Sequence, residues 1–437
     1  MKNLEPITKS LAEVHGSVAV PDKNSSFFKK LFAFMGPGLM VSVGYMDPGN
    51  WATDIAGGSK FGYTLLSVIL ISNIFAIILQ YLALKLGIAS GLDLAQACKK
   101  NYSKPVAMIL WVLAEIAIAA CDLAEVIGSA VALNLLFGIP LSVGVVITAL
   151  DVFLIFWLQN KGFRWIESLI AGLILVILLC FAYEIIVSNP NIYQILGGLI
   201  PQKAVVTNPE MLYIAIGILG ATVMPHNLYL HSSIVQTRAF GPSDSDKKMA
   251  IKFATIDSTV SLLLAFFINA SILILAAASF HASGNNAVTD IVGAYHLLDP
   301  VLGAKYASVA FGIALLAAGQ NSTLTGTLAG QIVMEGFIHL QVKPWIRRLI
   351  TRAVAIVPAV IVAIYYGEKG VNDLLILSQV ILSLQLSFAV VPLVIFTSKK
   401  EIMGRFANST ATQLIAWAVT AIIISLNVYL LCVTFFG

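Results

Sequence analysis

The sequence predicts an all-α polytopic membrane protein, and three observations support that fold class. Of the 437 residues, 59% are hydrophobic and only 11% are charged, and the mean hydropathy is +0.91. Eleven apolar runs are long enough to cross the roughly 30 Å of hydrocarbon in a bilayer. Two of these runs, in corresponding halves of the chain, are interrupted by proline-containing motifs. A chain of this composition could not cover itself with a water-compatible surface.

The predicted helices are numbered by their apolar runs. They cover residues 31–55, 62–88, 105–136, 140–159, 164–187, 210–237, 251–281, 303–338, 346–366, 371–397 and 411–436. The boundary between the fourth and fifth depends on only four residues, 159–162. Residues 26–437 form one membrane region that follows the N-terminal tail, and no separate soluble domain can be divided from it.

Loop charge predicts the orientation of these helices, because Lys and Arg near helix ends are retained on the cytoplasmic side. With the amino terminus inside, 22 of the 26 basic residues lie in inside segments, and only Lys60, Lys203, Lys305 and Lys369 lie outside. Eleven crossings then place the carboxyl terminus outside. The net charge of +4 therefore reports topology in the cell membrane, and we expect no nucleic-acid partner.

The first 25 residues are polar and of mixed charge, so we expect a disordered cytoplasmic tail rather than a signal peptide. The four cysteines lie in or beside predicted helices and lack the spacing of a zinc site or of paired disulfides. They are Cys98, Cys121, Cys180 and Cys432.

Two motifs interrupt the first and sixth predicted helices: Asp47-Pro48-Gly49-Asn50 and Met224-Pro225-His226-Asn227. Proline removes a backbone donor and clashes with the preceding turn, so each helix must open there and leave backbone groups unpaired. Such backbone is tolerated at membrane depth only around a protected cavity. Matching interruptions in two halves indicate the midplane substrate site of an inverted-repeat transporter.

The side chains at the interruptions indicate a metal cation as the substrate. Asp47 carries a charge that is costly in a bilayer unless a cation or proton accompanies it, and Asn50 adds a neutral oxygen. The opened helices free carbonyls such as those of Gly44 and Ala221. Met224 supplies a soft thioether, which favours first-row transition ions over Mg²⁺ or Ca²⁺. The structural alternatives are a helix cap for Asp47 and core filling for Met224.

His226 and His231 follow on the second interrupted helix, and imidazole suits proton exchange near neutral pH. Their spacing of five does not align them on one helix face, so we do not predict a joint metal site. For His226, beside Met224, a functional role is favoured. For His231, capping and hydrating an open helix is an equal alternative.

Three acidic residues, Glu115, Asp122 and Glu125, lie on one face of the third predicted helix. Acidic groups inside a membrane helix normally mark a proton or ion path. Basic residues near the start of the ninth helix, Arg347, Arg348 and Arg352, are candidate partners. The competing interpretation, ordinary positive-inside anchors, fits at least two of the three.

The two motifs, read as Gly44 to Trp51 and Met224 to His231, resemble the first- and sixth-helix signatures of the Nramp family of proton-coupled divalent-metal importers, and the chain is similar to its bacterial manganese transporters. The resemblance implies a LeuT-type fold of two five-helix inverted repeats, about 31–187 and 210–397, with an extra helix at 411–436. It implies that His226 and His231 serve proton movement or gating. It also implies that Gln379 joins the metal shell on closure, and that a ninth-helix arginine pairs with the acidic network. Gln80 is a further candidate neighbour of the site.

The sequence therefore predicts a secondary active importer of Mn²⁺, with Fe²⁺ and related ions, that moves protons through Asp47, Asp122 and Glu125. The metal is the substrate, so we expect no cofactor, and no obligatory protein partner is evident. An intramembrane metalloenzyme is disfavoured because none of the six histidines forms a His-Glu-x-x-His motif. A selective channel remains an alternative. A LeuT-type amino-acid symporter is disfavoured, because an amino-acid substrate would not require Met and Asp at the breaks.

Overall fold

The computed structural model describes residues 10–22, 24–148, 150, 161–286, 288, 290–304, 306–338 and 344–436. Within these ranges the chain is mostly helical, with two short strands at Val18–Ala19 and Arg238–Ala239. The α-helices are Phe27–Phe34, Pro37–Val43, Pro48–Phe61, Leu66–Ser90, Leu94–Asn101, Lys104–Phe137, Leu141–Thr148, Phe163–Ser188, Ile192–Gly198, Ala204–Thr207, Pro209–Thr222, Pro225–Ile234, Asp244–Ala276, Ile291–Leu302, Ala307–Ile338, Pro344–Tyr365, Gly367–Ser398, Lys400–Met403 and Thr410–Phe436.

Within the described ranges, eight helical segments are long and apolar enough to cross a membrane, so the chain is an integral membrane protein. The all-α membrane fold class is confirmed. Most of the predicted fourth helix, 140–159, lies outside the described residues, and so do many side chains in the first half of the predicted ninth helix, which forms the helix Pro344–Tyr365. The count of eleven crossings therefore stays a prediction.

The first interrupted helix, residues 37–61, breaks where the sequence predicts. Its first part, Pro37–Val43, tightens into a 3₁₀ turn at Gly44–Met46. Asp47 then has extended backbone, with ψ at 164°, and the helix restarts at Pro48. Because proline has no N–H to lose in a first turn, it favours a helix start at this position. We call residues 37–61 the first broken helix.

The second interrupted helix opens in the same way and is called the second broken helix, Pro209–Thr237. Its first part ends at Thr222, Val223 leaves the helical conformation with ψ at 87°, and Met224 has extended backbone with ψ at 128°. The helix restarts at Pro225. Both breaks thus leave a half-helix end on each side of a short extended segment.

The helix Lys104–Phe137, called the acidic helix, packs closely against the first break. A Cβ atom at Gly128 would overlap the ring of Pro48, so only glycine allows this approach. The neighbouring helix Ala307–Ile338 also approaches the acidic helix, because a Cβ at Gly326 would lie 2.7 Å from Glu125 Oε1. Small residues therefore bring the acidic side chains near the broken helices.

One end of the molecule contains a cavity of about 310 Å³ between the two broken helices, the helix Gly367–Ser398 and the last helix. Lys60 and Glu210 line its rim as an ion pair, and Gln379 lines its inner part. We call this the open end. The cavity therefore gives an approach from the surface toward the first break.

The opposite end, called the closed end, is held by a buried ion pair. Arg238 Nη1 donates to Glu167 Oε1 at 2.7 Å, and the side chains of Arg238 and Glu167 are 1% and 5% exposed. The remaining nitrogens of Arg238 donate to the carbonyls of Ala33 and Met35, which precede the first broken helix. Arg164 binds the same carboxylate at 3.0 Å, but its side chain is 46% exposed.

A second carboxylate fixes the same end. Asp257 is buried and accepts hydrogen bonds from the backbone nitrogens of Gly36, at 3.3 Å, and Gly38, at 2.7 Å. A Cβ atom at Gly38 would lie 2.6 Å from the backbone nitrogen of Ser258, so glycine is required for this contact. Asp257 thus ties the start of the first broken helix to the helix Asp244–Ala276.

The N-terminal segment, residues 10–20, also covers the closed end. Leu11 is 2% exposed within the main hydrophobic core, and its backbone nitrogen donates to Glu335 Oε2 at 2.8 Å. The strand Val18–Ala19 pairs in parallel with Arg238–Ala239, directly after the second broken helix. The expectation of a disordered tail is therefore wrong for these residues, because buried apolar side chains, Leu11 and Val18, and backbone pairing fix the segment.

Candidate metal site

Asp47 is fully buried at the start of the restarted first broken helix. Its Oδ1 accepts hydrogen bonds from the backbone nitrogen of Asn50, at 3.0 Å, and from Asn50 Nδ2, at 2.7 Å. Its Oδ2 is buried and has no hydrogen-bond partner among the described residues. Oδ1 thus caps the restarted helix, which is the structural role that the sequence offers for Asp47. The second oxygen is costly to bury without a cation or a proton.

Gln379 approaches Asp47 from the helix Gly367–Ser398. The Gln379 amide is close enough to interact with the Asp47 carboxylate. It also lies against the backbone of Gly49, where an added Cβ atom would overlap the amide. Gln379 is 5% exposed, and its Oε1 has no partner within the described chain. The Gln379 amide therefore lies at the first break, beside the Asp47 carboxylate.

Met224 lies at the second break and is fully buried. It packs in a small cluster with Cys121 and Ala117 of the acidic helix and with Leu382. Ala221, whose carbonyl is a predicted ligand, is also fully buried, one turn before Met224. The cluster is apolar apart from its two sulfur atoms, so it would give a metal ion a soft and weakly hydrated side.

Cys121 connects the predicted groups, although it carried no functional prediction. It lies beside Met224 in this cluster. Its Sγ lies 3.3 Å from Glu125 Oε1 and 3.7 Å from His226 Nε2. The sequence holds a signal for this position, since a residue four before Glu125 shares its helix face.

The two histidines have different neighbours, as their spacing predicts. His226 is 2% exposed and contacts the acidic helix through Cys121, and its Nδ1 has no partner in the described ranges. His231 Nδ1 lies 2.9 Å from Gln80 Oε1, and Gln80 Nε2 donates to the Tyr45 hydroxyl at 2.8 Å. Gln80 therefore links His231 to the first break.

The acidic stripe extends away from the site toward the closed end. Asp122 and Glu125 are 3% and 1% exposed, whereas Glu115 is half-buried and accepts a hydrogen bond from Trp111 Nε1 at 3.0 Å. The predicted basic partners Arg347 and Arg348 belong to the helix Pro344–Tyr365, and their side chains, like that of Arg352, lie outside the described residues.

Two asparagines that sequence reasoning did not select also contact the first break. Asn269 Nδ2 donates to the carbonyl of Tyr45 at 2.7 Å and so satisfies a backbone group that the broken helix frees. Asn227 is fully buried, and its amide atoms have no partner within the described chain. Its amide lies against Gly44, where an added Cβ atom would clash with it. Asn227 thus brings the second break against the first.

Over the described residues, no group of three His, Cys, Asp or Glu side chains is arranged to hold a metal ion. A cation at these breaks would therefore bind one carboxylate together with neutral amide, carbonyl and thioether donors. Hard and highly charged cages of several carboxylates favour Ca²⁺, so this donor set is of another kind.

Two membrane helices broken side by side around a buried carboxylate are typical of transporters, in which substrates bind between half-helices. A family model described as natural resistance-associated macrophage protein-like, Nramp, matches residues 38–433. The chain is 64% identical to the divalent metal cation transporter MntH of Listeria monocytogenes, over 97% of this chain and 95% of that protein. It is 60% identical to the MntH of Nostoc, over 98% and 97%.

Solved structures agree with the sequence comparison. The manganese transporter of Eremococcus coleocola superposes with a TM-score of 0.90 at 44% identity, over 96% of this chain and 90% of that one. Mhp1, a nucleobase-cation-symport-1 family transporter, superposes with a TM-score of 0.61 at 16% identity, over 91% and 89%, and shows the fold alone. The chain belongs to the Nramp family and has a LeuT-type fold, as the sequence predicts.

Proposed function

We propose that this protein imports Mn²⁺, together with Fe²⁺ and related ions, across the cell membrane by alternating access with proton coupling. The observation that supports the proposal most is Asp47 Oδ2, a buried carboxylate oxygen without a partner in the described chain, beside Gln379 and between two broken helices. The names of the relatives, divalent metal cation and manganese transporters, agree with it. The protein is a transporter and not an enzyme.

The proposed ligands are Asp47, Asn50, Met224 and Gln379 with the carbonyls of Gly44 and Ala221. Asp47 supplies the charge that attracts a cation. Neutral oxygens from amides and carbonyls replace part of the hydration shell without adding charge. Met224 disfavours hard ions such as Ca²⁺ and Mg²⁺, which bind thioethers poorly.

The proposed proton route begins at Asp47 and continues through Asp122 and Glu125 toward the cytoplasm. His226 joins the two parts, because it lies two residues after Met224 in sequence and contacts the acidic helix through Cys121. Supporting roles belong to the remaining predicted residues, namely His231, Glu115, Arg347 and Arg348. Acidic and imidazole groups of this kind are the usual proton carriers inside membrane proteins.

The proposed orientation places the open end outside and the closed end in the cytoplasm. This follows the distribution of basic residues, since Lys60 is one of four predicted outside and Arg164 and Arg238 are predicted inside. A metal ion would then enter through the cavity that reaches Gln379. Release into the cytoplasm requires that the closed end open.

The ligand set is tested by Mn²⁺ uptake into proteoliposomes. Asp47→Asn keeps the size of the side chain but removes its charge, and we expect uptake at low Mn²⁺ to fall by more than about a hundredfold, since even outer-shell partners of a metal cost 10–100-fold. Met224→Ala should retain some Mn²⁺ uptake but make it more sensitive to competing Ca²⁺ and Mg²⁺. Met40→Ala is the matched control, because Met40 is equally buried but lies away from the break.

Intact uptake by Asp47→Asn would contradict the ligand set, as would equal Ca²⁺ sensitivity of Met224→Ala and Met40→Ala. Proton coupling is measured separately, by uptake under an imposed pH gradient and by internal acidification during Mn²⁺ entry. If the gradient has no effect and Mn²⁺ causes no acidification, the protein is a metal uniporter.

A further inference from the structure

The rim of the cavity at the open end joins the two broken helices by one pair of charges. Lys60 lies in the last turn of the first broken helix, and Glu210 lies in the first turn of the second. The ammonium group and the carboxylate form an ion pair whose side chains are 33% and 57% exposed. The pair therefore stands in water at the entrance to the cavity.

The rest of the cavity wall has no formal charge. Among the lining residues within the described chain, Lys60 and Glu210 carry the formal charges, and the others are small, apolar or neutral polar residues such as Ala56, Gln379 and Leu430. The next charge inward is Asp47, beside Gln379. The potential along the approach is therefore set at the rim by two opposite charges that nearly cancel.

A charge at such a rim acts on dications more strongly than on other ions. The electrostatic energy of an ion is proportional to its charge, and narrow clefts with low-dielectric walls focus the field of the lining charges. Glu210 alone would concentrate every dication at the entrance, including Ca²⁺ and Mg²⁺, because a point charge does not distinguish among them. Lys60 opposes that attraction and leaves selection to the site that contains Met224.

We propose that the Lys60–Glu210 pair sets the concentration of divalent cations in the entry cavity, with Glu210 as the attracting charge and Lys60 as the charge that limits it. The proposal rests on the proposed function, because it concerns the path by which Mn²⁺ reaches Asp47. It assigns a role in cation entry to two residues that do not bind the transported ion in the site.

The first test is the KM for Mn²⁺ uptake in proteoliposomes at two ionic strengths. At about 10 mM, Lys60→Gln should lower the KM by roughly threefold and Glu210→Gln should raise it by a similar factor, while kcat stays constant. At about 0.5 M, where the Debye length is only a few ångströms, both effects should disappear. The double variant, which removes both charges, should return to the KM of the unmodified protein, and Lys60→Arg, which keeps the charge, should not change it.

The second test measures the potential without transport. Ala56 lies in the cavity wall, so an Ala56→Cys variant places a reporter thiol there. We compare its reaction rate with a cationic methanethiosulfonate reagent to its rate with an anionic one. The reaction of the four native cysteines is measured in the protein without the reporter and subtracted. The local potential changes the two reaction rates in opposite directions, by one unit charge each. Their ratio therefore responds to the potential as the local concentration of a doubly charged ion such as Mn²⁺ does. The fold rise in this ratio caused by Lys60→Gln should therefore equal the fold fall in KM.

The proposal is overturned if Lys60→Gln leaves the KM unchanged at low ionic strength, if its effect is equal at both ionic strengths, or if the labelling ratio and the KM change by different factors. Absence of saturable Mn²⁺ uptake by the unmodified protein would instead contradict the proposed function. The labelling ratio would still decide whether the pair sets the potential of the cavity.

Discussion

Each end of this transporter carries an arginine or lysine paired with a glutamate, but the two pairs lie in different surroundings. At the open end, Lys60 and Glu210 are 33% and 57% exposed, and at the closed end Arg238 and Glu167 are 1% and 5% exposed. An exposed pair contributes about 0–1 kcal/mol to stability. Breaking a buried pair by removing one partner costs about 3–5 kcal/mol, because the other charge remains buried.

The difference indicates what holds the conformation. The closed end combines the buried pair, the bonds from Gly36 and Gly38 to Asp257 and the packed N-terminal segment. The open end has one hydrated pair beside a cavity. In an alternating-access cycle, the costly step from this conformation is therefore separation at the closed end, and the pair at the open end adjusts electrostatics with little effect on the conformational balance.

The largest effect is expected for Arg238→Gln, which leaves Glu167 buried without its main partner. We expect the closed end to lose about 3–5 kcal/mol. A Ser42→Cys reporter on the first broken helix, where Ser42 is fully buried, should then become reactive to a thiol reagent from that side. Arg164→Gln is the matched control, since Arg164 binds the same carboxylate from a 46% exposed position and should change reactivity little. Equal labelling of the two variants would show that burial of the pair does not hold this end.

A pH-dependent effect is expected from Asp93, the cap of the short helix Leu94–Asn101 at the closed end. Burial raises the pKa of Asp93 to about 6, with a smaller contribution from the nearby Glu335 carboxylate, and bonds from Gln96 and Ser10 oppose the rise. The folded state then holds a proton that the unfolded state has lost, so stability falls as pH rises from about 4 to 6 and is constant above that range.

The corresponding test is Asp93→Asn, which retains a capping side chain but has no titration. Each unit of pKa difference corresponds to about 1.4 kcal/mol, so the variant should gain up to roughly 3 kcal/mol relative to the unmodified protein between pH 4 and pH 7. The measurement is the unfolding temperature in detergent across that range. Parallel profiles for the two proteins would mean that Asp93 does not contribute this pH dependence.

The N-terminal segment should contribute less. Leu11→Ala removes a side chain that is 2% exposed in the core, and we expect a loss of about 2 kcal/mol, the low end for such truncations because the segment lies at the margin of the fold. Proteolysis within residues 10–20 should become faster and the Ser42→Cys reporter more reactive. Leu11→Met, which conserves volume, is the control, and it should behave as the unmodified protein.

Sequence predicts the local features of this molecule well, because their causes are local. Pro48 and Pro225 fix where the helices restart, and the Asp47 and Met224 positions follow directly from those breaks. The Asp47 cap is equally local, since it involves Asn50 three residues later. The placement of Gln379 beside Asp47 was implied only by family resemblance, because 332 residues separate the two positions in the chain.

Features that depend on distant parts of the chain were missed. Asn269 satisfies the Tyr45 carbonyl across 224 residues, and Leu11 is bonded to Glu335 across 324. No periodicity in either segment reports such a contact. Glu167 and Arg238 likewise read as ordinary charges near helix ends, because burial is a property of the assembled fold.

The smallest effect is expected at the open end, where Lys60→Gln should change the free energy of unfolding by less than about 1 kcal/mol. Both members of the pair keep contact with water, so neither charge is left desolvated when the other is removed. Unfolding temperatures of Lys60→Gln and Glu210→Gln should therefore match that of the unmodified protein, although their KM values for Mn²⁺ move in opposite directions. A marked loss of stability in either variant would contradict this comparison, because it would mean that the rim pair stabilises the fold as the buried pair at the closed end does.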